Sequence, residues 1–364
     1  MIFTSKNKLI TKLKGKAFAS RFYCHEYLFG RNAIYAALSL LKEMGHKRIL
    51  LPAYSCGDEV AVAINLGFNV KFYNIQRIGS PFESIGINTK EILEKDILFL
   101  THFFGIVNKS SKLMRLTDTI HNQGGFVIED AAYALFSKNV GDIGDLIIFS
   151  LRKILPVPNG AILCCKEKYK INKIINPPRK LVITENNNFK KYQNGINKPG
   201  SGIHTGIDPS DIHGARYKNL GGYLLGIPPA TREIINNLDI DGYTNVNVRN
   251  FKHIYNVLKS YLDRDSLVIA NEIVRQQIPS KIFPIIVEHS SYLHEKITDS
   301  GILFTLPFWD RTHPFIDWSD FDKALDMKKG VIAILLDYKI CDSDLIKLSG
   351  IILAESLNSK KQLA

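Results

Sequence analysis

The sequence has no Cys-x-x-Cys pair, no apolar run near the ~20 residues a membrane span requires, and no repeated or low-complexity segment. Its five cysteines, Cys24, Cys56, Cys164, Cys165 and Cys341, are too sparse for a disulfide framework and point to a reducing compartment, the cytoplasm. The opening residues also lack the uninterrupted apolar core of a signal peptide. Acid is scarce: 35 Asp and Glu stand against 47 Lys and Arg, a formal net charge of +12. That surplus suits anionic partners, whether nucleic acid, acidic lipid headgroups or a phosphorylated small molecule, and charge alone does not choose among them, though no nucleic-acid reading motif accompanies it.

What is present is an ordinary core composition. At 364 residues and 45% hydrophobic content, the chain can build one large domain and a smaller one. Residues 1–21 carry Lys8, Lys12, Lys14 and Lys16 with no acid after Lys6, interleaved with Leu9, Ile10, Leu13 and Phe18. They read as a solvated basic arm, with peripheral membrane contact as the alternative. From "RILLPAY" (48–54) onward, short β-rich runs alternate with helical patterns: "NVKFYNI", "ILFLTHFFG", "FVIEDAA", "LIIFSL" and "AILCC". This is the βαβ rhythm of a mostly parallel sheet flanked by helices, an α/β large domain over 22–235. Within it, "RNAIYAALSLLKEMG" puts Ala33, Ile34, Ala37, Leu38 and Leu41 on one helical face, and "SSKLMRLTDTIHNQGG" has a serine start and a glycine stop. An Asn-, Lys-, Gly- and Pro-rich stretch across 178–235 reads as a long loop. The pattern then resumes in a smaller C-terminal α/β domain, 236–364, with "KIFPIIV" and "GVIAILLDY" as strands.

Two strand ends carry the chemistry. "FVIE" brings Glu129 and Asp130 to the carboxyl edge of the sheet, where open parallel sheets bind ligands. "LIIFS" ends in the same crevice with Ser150, and Lys153 follows in the turn. An acid, a hydroxyl and a lysine converging there suit pyridoxal 5'-phosphate, whose aldehyde a lysine binds as a Schiff base while the acid keeps the pyridine nitrogen protonated.

The blocks "GRNAIYAALSLL", "LLPAYSC", "THFFG", "VIEDAAYAL", "GDIGDLIIFSLRK" and "IFPIIV", in that order, resemble the DegT/DnrJ/StrS sugar aminotransferases. The resemblance is strong over about 22–165 and weaker after it, and it implies the fold-type I aminotransferase architecture. It implies that Asp130 is the pyridinium partner, Lys153 the Schiff-base lysine and Ser150 a phosphate ligand. Gly30, Arg31 and Asn32 then match the phosphate-holding helix start, and Tyr133 stands where the family commonly has His or Gln beside the cofactor's ring hydroxyl. The sequence departs from the family in having three residues rather than five from serine to lysine, and "ILPVPNGA" replaces a glycine-rich stretch.

The resemblance further implies amino transfer from an amino acid, typically glutamate, to a nucleotide-linked keto sugar in polysaccharide or related biosynthesis, by a homodimer. Arg216 and Lys218 in "ARYKN" are the residues expected to meet the substrate's phosphates. Two alternatives stay open: sugar dehydration with the same cofactor, for which the resemblance predicts histidine in place of the lysine, and a catalytically silent homologue with a regulatory or assembly role. His102 is read as a hydrogen-bonded structural histidine, Asp142 and Asp145 as turn residues, and Tyr54, Phe103 and Phe104 as core or pocket wall. Asp208, Asp211 and His213 lie in an irregular loop without a matched cluster, so no metal is expected.

Overall fold

The computed structural model describes residues 8–75, 86–107, 109–166, 226–313, 316–336 and 340–362, with side chains to 354. Arg216, Lys218, Asp208, Asp211, His213 and most of the expected 178–235 loop lie outside them.

Seven strands form the main sheet: β1 (Phe22–Tyr27), β2 (Arg48–Pro52), β3 (Asn69–Tyr73), β4 (Ile97–Thr101), β5 (Phe126–Asp130), β6 (Leu146–Ser150) and β7 (Ala161–Lys166). Their order is β1-β7-β6-β5-β4-β2-β3. The pairings from β3 to β6 are parallel, and β7 runs antiparallel to both β6 and β1. The central strands β4 and β6 are buried at every position, as strands covered on both faces must be.

One face is covered by α2 (Gly30–Glu43) and α3 (Asp58–Asn65), whose Ala33, Ile34, Ala37, Leu38 and Val60 pack with Phe99, Ile128 and Ile148. On part of the other face α4 (Ser111–Asn122) packs Leu113, Leu116 and Ile120 against Leu98, Leu100 and Val127. Its start is capped as expected, with Ser110 Oγ accepting from Leu113 N–H at 3.2 Å.

The N-terminal segment is not a solvated arm. Residues Lys8–Ala19 form α1, and Leu9, Ile10, Leu13, Phe18 and Ala19 are buried in the same core cluster as Phe149 and Val140. The apolar positions that would let a basic helix lie on a membrane are spent on the protein's own core. Among the described residues no helix is long and apolar enough to cross a membrane. The expectation of unpaired cysteines is also corrected: Cys24 and Cys164 face each other in the β1–β7 register and form a disulfide, leaving Cys56, Cys165 and Cys341 as thiols.

The C-terminal region starts with α5 (Pro229–Asn237), α6 (Ile240–Leu258) and α7 (Arg264–Gln276). The helix α5 falls inside the stretch read as loop, started by proline in its first turn. A second sheet, β8-β10-β9, follows from β8 (Ile282–Ile286), β9 (Thr305–Pro307) and β10 (Val331–Leu335), all antiparallel. The helices α8 (Ser290–Asp299), α9 (Asp322–Gly330) and α10 (Asp342–Gln362) complete it. One continuous core cluster joins this sheet, through Phe283, Ile332 and Phe308, to Tyr54, Phe103 and Tyr133 of the main sheet's carboxyl edge.

Candidate active site

Strand alternation decides which side chains meet. On β4, β5 and β6, Phe99, Ile128 and Ile148 pack beneath α2. With a period of two, Thr101, Asp130 and Ser150 therefore share that face at the carboxyl ends. Thr101 and Asp130 are direct register partners. The first turn of α2 abuts the same edge: a Cβ built on Gly30 would lie 3.7 Å from both Ser150 Cβ and Ser150 Oγ.

That helix start is electropositive. The N–H groups of Gly30 and Arg31 have no intrahelical acceptor, and the first turn holds no acid to offset the helix dipole. Asn32 Oδ1 accepts from Phe29 N–H at 3.1 Å, so that oxygen caps the helix start. Arg31 lies over the Phe29 ring, its Nε is 3.9 Å from Asp58 Oδ2, and among the described residues that buried Nε makes no hydrogen bond. The hydroxyl of Thr101 is likewise buried without a partner among the described residues. An unfilled guanidinium donor at an acid-free helix start fits a phosphate.

Asp130 Oδ1 accepts from Ala132 N–H at 3.0 Å. Burial, and then the nearby Glu59 carboxylate, push the Asp130 pKa up to about 7, against smaller opposing effects of the Ala132 amide, His102 and Lys153. An acid in that condition is matched to a cationic ring nitrogen, which would restore its ionised form. Lys153 closes the 3₁₀ turn after β6, and its Nζ lies 5.2 Å from the centre of the Tyr133 ring. No hydrogen bond engages that Nζ among the described residues. Tyr133 is buried, edge-on to Phe308 at 5.7 Å and to Trp309 at 6.3 Å.

Glu129, adjacent to Asp130, points to the opposite face and has a structural role. Its carboxylate takes the His102 Nε2 contact at 2.9 Å and accepts from the amides of Gly141 (2.8 Å), Ile143 (3.0 Å) and Gly144. Burial raises its pKa, but the His102 contacts and those amides outweigh burial and hold it below the ordinary value. The His102 reading as a structural histidine therefore matches the geometry. Asp145 accepts from Val127 N–H and meets His121 Nε2, each at 2.8 Å, while Asp142 pairs with Arg21 and Lys109, so neither reaches the site.

Sequence reasoning missed the C-terminal half of the site. Lys328 of α9 is buried, its Nζ donating to Ser55 O at 2.6 Å and Trp309 O at 2.9 Å and lying 5.7 Å from the Tyr54 ring centre. Burial lowers its pKa to about 8. Tyr54 O–H donates to Phe308 O at 3.1 Å, and Ser55 Oγ meets His313 Nε2 at 3.1 Å. Glu59, at the start of α3, is buried and accepts from Cys56 N–H at 3.1 Å. Lys328, Phe308 and His313 lie in stretches with no motif to mark them, whereas Tyr54 and Ser55 fall in the block "LLPAYSC".

No family model and no curated protein sequence matches the chain. Solved structures do. A Streptococcus pneumoniae protein described as a sugar aminotransferase, in its apo-form, matches 98% of this chain and 91% of its own at a TM-score of 0.65 and 14% identity. A DegT/DnrJ/EryC1/StrS aminotransferase from Brucella abortus matches 97% of this chain and 91% of its own at 0.56 and 14%. A GDP-4-keto-6-deoxymannose-3-dehydratase bound to GDP-perosamine matches 95% and 92% at 0.59 and 15%. The chain has the aminotransferase fold, over nearly its whole length and that of its neighbours.

Proposed function

We propose that the protein is a pyridoxal 5'-phosphate-dependent aminotransferase acting on a nucleotide-linked keto sugar. The observation that carries the reading is the convergence of Asp130, Ser150, Lys153 and the acid-free start of α2 on one sheet edge. The fold is supported by its neighbours, two of which are the pyridoxal- and pyridoxamine-phosphate forms of the Streptococcus pneumoniae protein.

In this reading Ser150, the Gly30 and Arg31 amides and the Arg31 side chain hold the phosphate, and Asp130 pairs with the ring nitrogen. Tyr133 borders the ring, and Lys153 holds the cofactor covalently. When bound, the cofactor supplies an electron sink that lets an amino group pass from one carbon to another. Asp130 keeps the ring nitrogen protonated. Once freed, Lys153 Nζ takes the proton from the α carbon of the donor, which we take to be glutamate, and returns a proton to the acceptor carbon. Tyr54, Phe103 and Phe308 exclude water from that transfer.

We further propose a homodimer and a cytoplasmic role in polysaccharide or related biosynthesis, with Arg216 and Lys218 meeting the substrate phosphates. The net charge of +12 supports an anionic substrate. The dehydratase among the neighbours marks the second reading, and the lysine at position 153, where the resemblance leads one to expect histidine in a dehydratase, favours transamination. The test is to incubate the loaded protein with glutamate and UDP-, GDP- or dTDP-linked 4-keto hexoses. Formation of 2-oxoglutarate and an amino sugar is expected; sugar dehydration without net amino transfer would favour the second reading.

A further inference from the structure

Trp309 stands out on backbone grounds. Its φ is +55°, a left-handed conformation that a bulky residue rarely adopts and that persists only where its surroundings hold it. Both carbonyls of the Phe308–Trp309 pair are held: Phe308 O by the Tyr54 hydroxyl and Trp309 O by the buried Lys328 Nζ. Phe308 N–H donates to Val331 O at 2.8 Å, which ties the pair to β10. The same ammonium holds Ser55 O, so one buried cation fixes Trp309 against the loop that carries Tyr54.

The result is an aromatic cluster that includes Tyr133. The Trp309 ring stacks on Phe308 at 4.9 Å and 22°, and lies 5.3 Å from Tyr54, 5.8 Å from Phe103 and 6.3 Å from Tyr133. The Tyr133 ring, 6.3 Å from the indole, is also the ring that Lys153 Nζ approaches at 5.2 Å. Unlike its buried neighbours Tyr54, Phe103, Tyr133 and Phe308, Trp309 is half-buried, and the residues that follow it, Asp310 and Arg311, reach solvent. A half-buried tryptophan in contact with four packed rings, one of them the Tyr133 ring that Lys153 Nζ also approaches, offers an apolar surface, with a carboxylate and a guanidinium on the adjoining residues. A pyranose matches that combination, since it pairs one face of C–H groups with hydroxyls on its rim.

We propose that Trp309 is the platform on which the sugar ring of the amine acceptor stacks, and that Lys328 is the positioning residue that holds it there. The proposal rests on the transaminase reading and deepens it by placing the acceptor's sugar, rather than its nucleotide, on this chain's own C-terminal region.

The chain has two tryptophans, Trp309 and Trp318. In a Trp318→Phe protein loaded with cofactor, emission therefore reports on Trp309 alone, and it is titrated with UDP-, GDP- and dTDP-linked hexoses and with the free nucleoside diphosphates. At least one nucleotide hexose should quench the emission while its diphosphate does not. By calorimetry, Trp309→Leu should weaken binding of that hexose about tenfold and Trp309→Phe less than that, and the acceptor KM should rise more than the donor KM. Unchanged affinity in Trp309→Leu, or equal quenching by the free diphosphate, overturns the platform while turnover of the keto sugar by the unmodified protein leaves the transaminase reading standing. If no nucleotide hexose binds or is turned over, that reading falls and the platform with it.

Discussion

The candidate site presents two lysines to two tyrosine rings, one from each of its halves, and they are built for opposite ends. Lys153, after β6, lies 5.2 Å from Tyr133, and among the described residues no hydrogen bond engages its Nζ. Lys328, on α9, lies 5.7 Å from Tyr54 and gives hydrogen bonds to two backbone carbonyls from segments far apart in the chain. A depressed pKa and deep burial are the usual marks of a reactive lysine, and by those marks Lys328 would be chosen. Geometry reverses the choice: a donor already spent on Ser55 O and Trp309 O is a fastener. In the proposed reading the uncommitted Lys153, close enough to Asp130 to lower its pKa, is the lysine that reacts.

Breaking each half should therefore fail differently. The largest effect is expected on the Lys153 side, where Asp130→Asn should lower turnover on the order of 10²- to 10³-fold with the fold retained, because an amide cannot balance a pyridinium charge. Steady-state kinetics with circular dichroism as the control checks this, and near-normal turnover would remove Asp130 from its role. On the other side, Lys328→Met should destabilise the cofactor-free protein by about 2–4 kcal/mol, leaving two buried carbonyls without their charged donor. Lys153→Met should cost less than about 1 kcal/mol in the same urea titrations, since no hydrogen bond is lost.

A smaller loss is expected at Gly57, where φ is +100° and an added Cβ would fall 2.6 Å from His313 Cε1. Gly57→Ala should cost about 1–2 kcal/mol by forcing the His313 ring away from Ser55 Oγ, and a stability equal to the parent would show that the loop tolerates the shift.

The subtlest contrast is in pH. Burial, with the neighbouring Lys328 charge, lowers the His313 pKa from 6.5 to about 3 against the opposing Ser55 contact. Between those values the unfolded chain takes up a proton that the folded one refuses, so this group's contribution to stability is lost as pH falls from 6.5 toward 3. Asp130 works the other way. With its pKa raised from 3.8 to about 7, the folded chain keeps a proton that the unfolded chain releases, and stability falls as pH rises through that window. In the cofactor-free protein the two slopes oppose each other where the windows overlap. Thermal melts of Asp130→Asn should therefore show a steeper acid-side loss than the parent, and His313→Gln a shallower one.

The Lys153 half was legible in the sequence because it is local. Apolar strand runs, their terminal Asp130 and Ser150, and the glycine-started helix α2 each lie within a few residues of their own signals. The Lys328 half was not, because its meaning arises only from contacts across 254 and 273 residues, and nothing in "ALDMKKG" distinguishes the buried Lys328 from its solvated neighbour Lys329. The N-terminal helix shows a third case: Leu9, Ile10, Leu13 and Phe18 carried a burial signal, but the surrounding lysines suggested solvent, and packing against the β6–β7 region decided it.

The comparison of the two lysines yields the most direct test of the central claim. The purified protein is saturated with pyridoxal 5'-phosphate, reduced with borohydride and digested, and the labelled peptide is mapped. The account predicts a stable pyridoxyl label on Lys153, in the peptide spanning "FSLRKILPVP", and none on Lys328. Label on Lys328, or no label on any lysine at saturation, would contradict it.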